Sequence, residues 1–94
     1  MPRYDIAHIR EQGQDIIIVP LESSFGNQSS SGQQQTITAL QIQARSAGLA
    51  GKVVPVWDSG GGRMSFIAPR PWHPFFSDLN LSVVARMINK ELFW

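Results

Sequence analysis

The sequence predicts a single α+β domain with the element order ββαββα, and three observations lead to this fold class. Segments with runs of β-branched residues, or with alternating apolar and polar residues, predict strands. Two other segments carry apolar residues at helical spacing, which predicts amphipathic helices. The 94 residues are one domain's length of chain, and five Phe and three Trp help to supply one core.

A β-hairpin is predicted at the start of the chain. Residues 4–10 alternate roughly between apolar and polar, which predicts a strand with one exposed side. Residues 11–14 are predicted to form a turn in which Gly13 can adopt a positive φ. Three Ile and a Val follow one another in residues 15–21, which predicts a central strand covered on both sides. Pro20 cannot donate a hydrogen bond, so strand pairing is expected to fail there.

A polar loop and a helix come next. Residues 23–32 are rich in Ser, Gly and Gln, a composition typical of a mobile loop. Apolar residues between Ile37 and Ala47 then recur at helical spacing. Gly48 suits the position after the helix, and Leu49 can make the apolar contact of a Schellman end.

The second half of the chain predicts two further strands and a helix. Residues 52–57 are expected to form an edge strand, because Pro55 lacks an N–H donor. Residues 63–68 predict a fourth strand, and one helical turn is expected at residues 75–79. Asn80 is a predicted N-cap, and the apolar spacing after it predicts a helix to the C-terminus.

These elements are expected to form a two-layer sandwich. The predicted sheet has four mostly antiparallel strands in the order 1-2-4-3, with two helices on one face. The segment from strand 2 through the helix to strand 3 would be a right-handed crossover.

Composition limits the function classes. The net charge of +1 predicts that any binding to nucleic acid is weak. The chain contains no Cys, which excludes disulfides and thiolate chemistry. It also has no long apolar run, so a cytoplasmic protein without a membrane span is expected. His8 and His73 are not part of a chelating motif, so no metal and no cofactor are expected.

Two loop features are weighed as catalytic or binding sites. Asp58 and Ser59, with the two histidines, supply the residue types of a catalytic triad, but no nucleophile-elbow pattern surrounds the serine. Glycines 60–62 beside Arg63 could cradle an anion through backbone N–H groups. A solvated hairpin loop is the favoured interpretation of this segment, because the glycines precede a strand and lack a P-loop pattern.

Aromatic residues carry the preferred functional hypothesis. Residues 72–76 hold three aromatic side chains among prolines, and the chain ends on two more. Such groups either close one end of the core or form a docking surface for a protein partner or a second copy. The predicted interaction residues are Trp72, His73, Phe75, Phe76, Phe93, Trp94, Arg63 and Arg70.

Two alternatives remain beside this hypothesis of a non-catalytic interaction domain. The first is a nucleic-acid-binding accessory domain that uses Arg63, Arg70, Arg86 and Lys90. The second starts from Pro2, which directly precedes the first strand and resembles the start of the tautomerase superfamily. That resemblance implies an enzyme with an N-terminal proline as general base. It covers only the first few residues, and the family's strand–helix–parallel strand order differs from the hairpin predicted here.

Overall fold

A five-stranded mixed sheet with three α-helices forms the protein, whose computed structural model describes residues 3–93. The strands are β1 (Arg3–Glu11), β2 (Gln14–Pro20), β3 (Lys52–Asp58), β4 (Met64–Phe66) and β5 (Lys90–Phe93). The helices are α1 (Ser30–Ser46), α2 (His73–Ser77) and α3 (Leu81–Met87), and two 3₁₀ turns cover Ser23–Asn27 and Arg70–Trp72. The strand order across the sheet is β4-β3-β2-β1-β5.

The predicted hairpin is present at the start of the chain. β1 and β2 pair antiparallel through a two-residue turn in which Gln12 has φ 51° and Gly13 has φ 77°. A type I′ turn needs positive φ at both central residues, and its twist matches that of the flanking strands. β2 and β3 then pair in parallel on either side of the α1 crossover, whereas the predicted order had placed another strand between them.

The core lies on both faces of the sheet, because successive residues of β2 point to opposite sides. Under α1 the buried residues are Ile6, Ile17, Val19, Leu40, Ala44, Val53 and Leu92. Under α2 and α3 they are Ala7, Ile16, Ile18, Val54, Val56, Phe76 and Val84. β2 is therefore the doubly covered central strand that was predicted, but the placement of both helices on one face was wrong.

The predicted strand order, 1-2-4-3, was also wrong, since β3 lies between β2 and β4. The Pro55 carbonyl accepts a hydrogen bond from the Ile67 N–H at 3.2 Å. The backbone nitrogen and carbonyl of Pro55 therefore both point toward the β4 side. β4 ends at Phe66, just before that point. The missing N–H of Pro55 therefore falls where the ladder stops, and an inner strand tolerates the proline.

The predicted C-terminal helix was too long. α3 ends at Met87, Ile88 leaves the helical region with ψ 123°, and the chain returns as β5 beside β1. Leu92 is buried, as the helical spacing predicted, but it reaches the core from a strand. A helix continuing through these residues would have left the β1 edge without a partner strand.

Two predicted helix ends agree with the structure, the C-terminal end of α1 and the start of α3. Gly48 has φ +79°, and the Leu49 N–H donates to the Ala44 carbonyl at 2.9 Å, which is the long hydrogen bond of a Schellman end. Asn80 caps α3, since its Oδ1 accepts from the Val83 N–H at 2.9 Å. Both predicted helix ends are confirmed.

The polar segment 23–32 contains more regular structure than predicted. Its first half is a 3₁₀ turn anchored by the buried Phe25, and α1 begins at Ser30. Ser29 acts as the N-cap, because its Oγ accepts from the Gly32 N–H at 3.0 Å. Secondary structure does not decide motion on the nanosecond scale, so the mobility stays a prediction from composition.

Membrane insertion has no support among the described helices. None of the helices between residues 3 and 93 combines the length and the hydropathy that a membrane-spanning segment needs.

Candidate functional site

The aromatic segment mainly closes the core on the α2–α3 side of the sheet. Phe76 is fully buried, while Trp72 and Phe75 are half-buried and pack against the same cluster. The Phe66 ring of β4 lies 5.4 Å from the Phe76 ring and 5.3 Å from that of His73. Of the adjacent pair at 75 and 76, one ring is core and the other is partly exposed, as predicted from their adjacency.

Phe93 lies far from this segment. Phe93 is 61% exposed in β5, whereas Phe66 is in β4, and these strands are the two opposite edges of the sheet. Four strand spacings of about 4.8 Å separate them, or roughly 19 Å. Phe93 and the segment at 72–76 therefore do not form one aromatic patch. Trp94 lies outside the described residues, and a binding role for these aromatics stays a prediction.

The basic residues are exposed but are not gathered into one stripe. Arg63 lies in the β3–β4 loop and Arg70 in the second 3₁₀ turn, both after β3 on the β4 side. Arg86 is in the last turn of α3, and Lys90 begins β5 at the opposite edge. Arg63 and Lys90 are therefore too far apart to track one short stretch of phosphate backbone.

Both histidines bond to nearby backbone. His8 Nε2 lies 2.8 Å from the Ala50 carbonyl oxygen, and His73 Nε2 lies 2.9 Å from that of Ala68. Within residues 3–93, no group of three His, Cys, Asp or Glu side chains is placed to hold a metal ion. The His8 ring thus connects β1 to the loop before β3, and the His73 ring connects the start of α2 to the loop after β4.

The glycine loop is the hairpin that the sequence favoured. Ser59 N–H donates to the Arg63 carbonyl at 2.8 Å, and Asp58 Oδ1 accepts from the Gly60 N–H at 2.8 Å. The Ser59 hydroxyl also bonds to the Arg63 carbonyl, at 3.3 Å. In the described chain, the hydrogen bonds of Asp58 and Ser59 stay inside this loop and do not form a catalytic triad.

The N-terminal proline cannot be placed, because Pro2 lies outside the described residues. The chain does begin with the antiparallel β1–β2 hairpin, so its element order departs from that of the tautomerase superfamily as predicted.

A cleft that the sequence did not predict opens beyond the carboxyl end of β2. It has a volume of about 620 Å³ and lies between the start of β1, the first 3₁₀ turn and α1. Open sheets with parallel strands commonly bind ligands at this position. Two of its polar side chains already have partners: Arg3 Nε lies 3.3 Å from the Glu91 carboxylate, and Thr36 Oγ1 donates to the Gly32 carbonyl at 3.2 Å. The lining residues are Arg3, Tyr4, Asp5, Pro20, Leu21, Glu22, Ser24, Phe25, Gln28 and Thr36.

A second surface is the outer face of α1, where a shallow groove carries no charged side chain. Ile42 is 56% exposed there. Arg45 is the one charged residue in the sequence of this 17-residue helix. The groove, called the α1 face below, is lined by Ser31, Gln34, Gln35, Thr38, Ala39 and Ile42.

The orientation of α1 is fixed from its inner side. Leu40 and Ala44 are buried against the sheet, which turns Ile42 outward. Gln41 adds two hydrogen bonds to the β3 segment: its Nε2 donates to the Gly51 carbonyl and its Oε1 accepts from the Val53 N–H, both at 2.9 Å. The α1 face is therefore presented on a well-held helix.

Comparison with known proteins adds no functional assignment. No protein-family model matches the chain, and neither the curated proteins nor the solved structures gave a significant match.

Proposed function

We propose that this protein is a non-catalytic interaction domain that self-associates through the α1 face. The observation that carries the proposal is a long exposed helix face without charge, on which Ile42 remains 56% exposed. Exposed faces of amphipathic helices normally carry charged and polar residues. The interiors of protein interfaces, by contrast, are depleted of charged residues.

The polar groups of the α1 face support a second copy as the partner. Ser and Thr hydroxyls and Gln amides each donate and accept hydrogen bonds. Two identical faces can therefore satisfy each other across a twofold axis, where every contact occurs twice. A face of like charges would repel its own copy, and the α1 face has no such charges.

The exposed Phe93 is a weaker basis for an interface. In the β1–β5 register it lies opposite Arg3, whose guanidinium forms the ion pair with Glu91. Covering Phe93 would remove water from these charges, and that desolvation can exceed the gain from their attraction.

The expected association is weak. The segment from Ser31 to Ile42 is about 17 Å long at 1.5 Å per residue, so a contact confined to one helix face roughly 10 Å wide covers a few hundred Å². Stable interfaces bury about 1,200–2,000 Å² in total. A dissociation constant on the order of 1 mM, or about −4 kcal/mol, is consistent with such a contact.

The test is a concentration series followed by ¹H–¹⁵N spectra and rotational correlation time. Between roughly 0.1 and 3 mM, a range that brackets the expected dissociation constant, shifts should move at the α1 face and tumbling should slow. Ile42→Lys should abolish both changes, because it places a charge inside the contact. The matched control is Ala85→Lys, which adds the same charge at an exposed position of α3, on the other face of the sheet.

Spectra that do not change with concentration in the unmodified protein would refute the proposal. An equal loss of association in the Ala85→Lys variant would show that net charge, and not the α1 face, controls it.

A further inference from the structure

We infer that the two copies pair with their α1 helices antiparallel, so that Ser31 of each copy packs against Ile42 of the other. This inference rests on the proposed function and specifies the arrangement at the same surface. The occupant of the α1 groove is then the α1 helix of a second copy.

Long and short side chains alternate along the groove in a self-complementary way. A twofold axis perpendicular to α1, passing between residues 36 and 37, brings together residues equally distant from that point. In each resulting pair a longer side chain meets a shorter one, which allows the two faces to interdigitate. The two pairs along the centre of the face are Ser31 with Ile42 and Gln35 with Thr38, and Gln34 and Ala39 flank them on opposite sides.

A parallel arrangement fits these side chains less well. Each residue would then meet its own copy, so two Ile42 side chains would crowd one end while two Ser31 side chains left a gap at the other. The two Arg45 guanidinium groups would also lie side by side and repel each other.

The antiparallel arrangement separates the same charges. Each Arg45 then lies near the start of the partner helix, where residues 28–31 carry no charge. The two arginines are about 25 Å apart at 1.5 Å per residue. That distance exceeds the Debye length of about 8 Å at physiological salt. Antiparallel helices also bring the dipole ends of opposite sign together.

The register can be tested by disulfide trapping, because the chain contains no Cys. A Ser31→Cys variant mixed with an Ile42→Cys variant should form a mixed disulfide dimer under mild oxidation. Each variant alone should form dimers at least about fivefold more slowly, because identical positions lie about 17 Å apart along the helices and a disulfide needs Cα atoms within about 7 Å. Ser31→Cys mixed with Ala85→Cys is the control for random collision.

A charge exchange gives a second, non-covalent test. Ser31→Glu and Ile42→Lys should each weaken self-association, whereas mixing the two variants should restore it, because the introduced carboxylate and ammonium face each other. Both positions are exposed, so neither change removes a core contact.

The outcomes separate this inference from the proposed function. Rapid crosslinking of Ser31→Cys alone, or no gain on mixing in both tests, overturns the antiparallel register while concentration-dependent spectra still support self-association. Spectra that never change with concentration overturn both.

Discussion

The side-chain amide of Asn89 pairs with the backbone of His8 as a neighbouring strand would. Asn89 Oδ1 accepts from the His8 N–H at 2.8 Å, and its Nδ2 donates to the His8 carbonyl at 2.8 Å. The regular β1–β5 register ends at the pair of Ile6 and Lys90. One side chain therefore supplies a strand-like pairing at His8, two residues beyond the last regular β1–β5 pair.

We expect Asn89→Ala to lower the free energy of unfolding by about 1–2 kcal/mol, because two backbone hydrogen bonds are lost at a site that water can partly reach. Asn89→Asp should also destabilise, since a carboxylate keeps the acceptor but replaces the donor. Urea denaturation measures both. Asn27→Ala, at an exposed Asn of the first 3₁₀ turn, is the control, and an equal loss there would count against a specific role for Asn89.

Two glycines should respond to alanine with opposite signs. A Cβ at Gly26 would lie 2.5 Å from Trp57 Nε1, so Gly26→Ala forces the indole or the 3₁₀ turn to move. We expect a loss of about 1–3 kcal/mol from this overpacking. At Gly32, in the first turn of α1, the nearest atom to an added Cβ is Ser29 Oγ at 3.4 Å, and Gly32→Ala should be neutral or stabilising by up to about 1 kcal/mol. Thermal unfolding of both variants gives the comparison, and a stable Gly26→Ala protein would contradict the packing.

The two isoleucine environments predict a large difference in stability. Ile18 is 0% exposed in the central strand, so Ile18→Ala should cost about 2–4 kcal/mol through cavity formation. Ile42 lies on the α1 face, and at low protein concentration Ile42→Ala should change stability by less than about 0.5 kcal/mol. Chemical denaturation at protein concentrations below those that support self-association tests both variants. A loss of less than about 0.5 kcal/mol for Ile18→Ala would be inconsistent with the sheet order.

Packing around Phe25 predicts that the first 3₁₀ turn is ordered. The composition of residues 23–32 predicts the opposite, a mobile loop. The Phe25 ring lies 5.0 Å from the Trp57 ring, edge to face, and Gln33 Nε2 donates to the Phe25 carbonyl at 3.0 Å. Backbone order parameters at residues 24–31 should therefore approach those of α1, near 0.85. Phe25→Ala should lower them, and values below about 0.6 in the unmodified protein would support the mobile loop instead.

Local chemistry was predictable from the sequence where one residue type decides it. Gly13, Gly48 and Asn80 set a turn and two helix ends through their own backbone or side-chain geometry, and the structure places them as expected. The buried strand β2 was also predictable, because consecutive β-branched residues suit a strand covered on both faces.

Elements that depend on distant partners were not predictable in the same way. Ile88 and Leu92 stand four residues apart, which fits a helix as well as a turn followed by a strand, and the choice depends on the free edge of β1. Pro55 predicted an edge strand because it lacks an N–H donor. The sequence does not show that β4 ends before it would need that donor. The charge-free stretch of α1 is visible there, but its outward side is defined only once Leu40 and Ala44 pack on the sheet.

The contact of Gln41 with β3 protects an unpaired strand edge against aggregation. β4 pairs only with Val56 to Asp58, so the earlier part of β3 has no neighbouring strand on that side. Unpaired strand edges of this kind can recruit strands from other molecules and start aggregation. The Gln41 carboxamide occupies the Gly51 carbonyl and the Val53 N–H of this edge, so an incoming strand would have to displace it. The helix whose outer face we propose as a contact for a second copy thus also blocks a less ordered route to association.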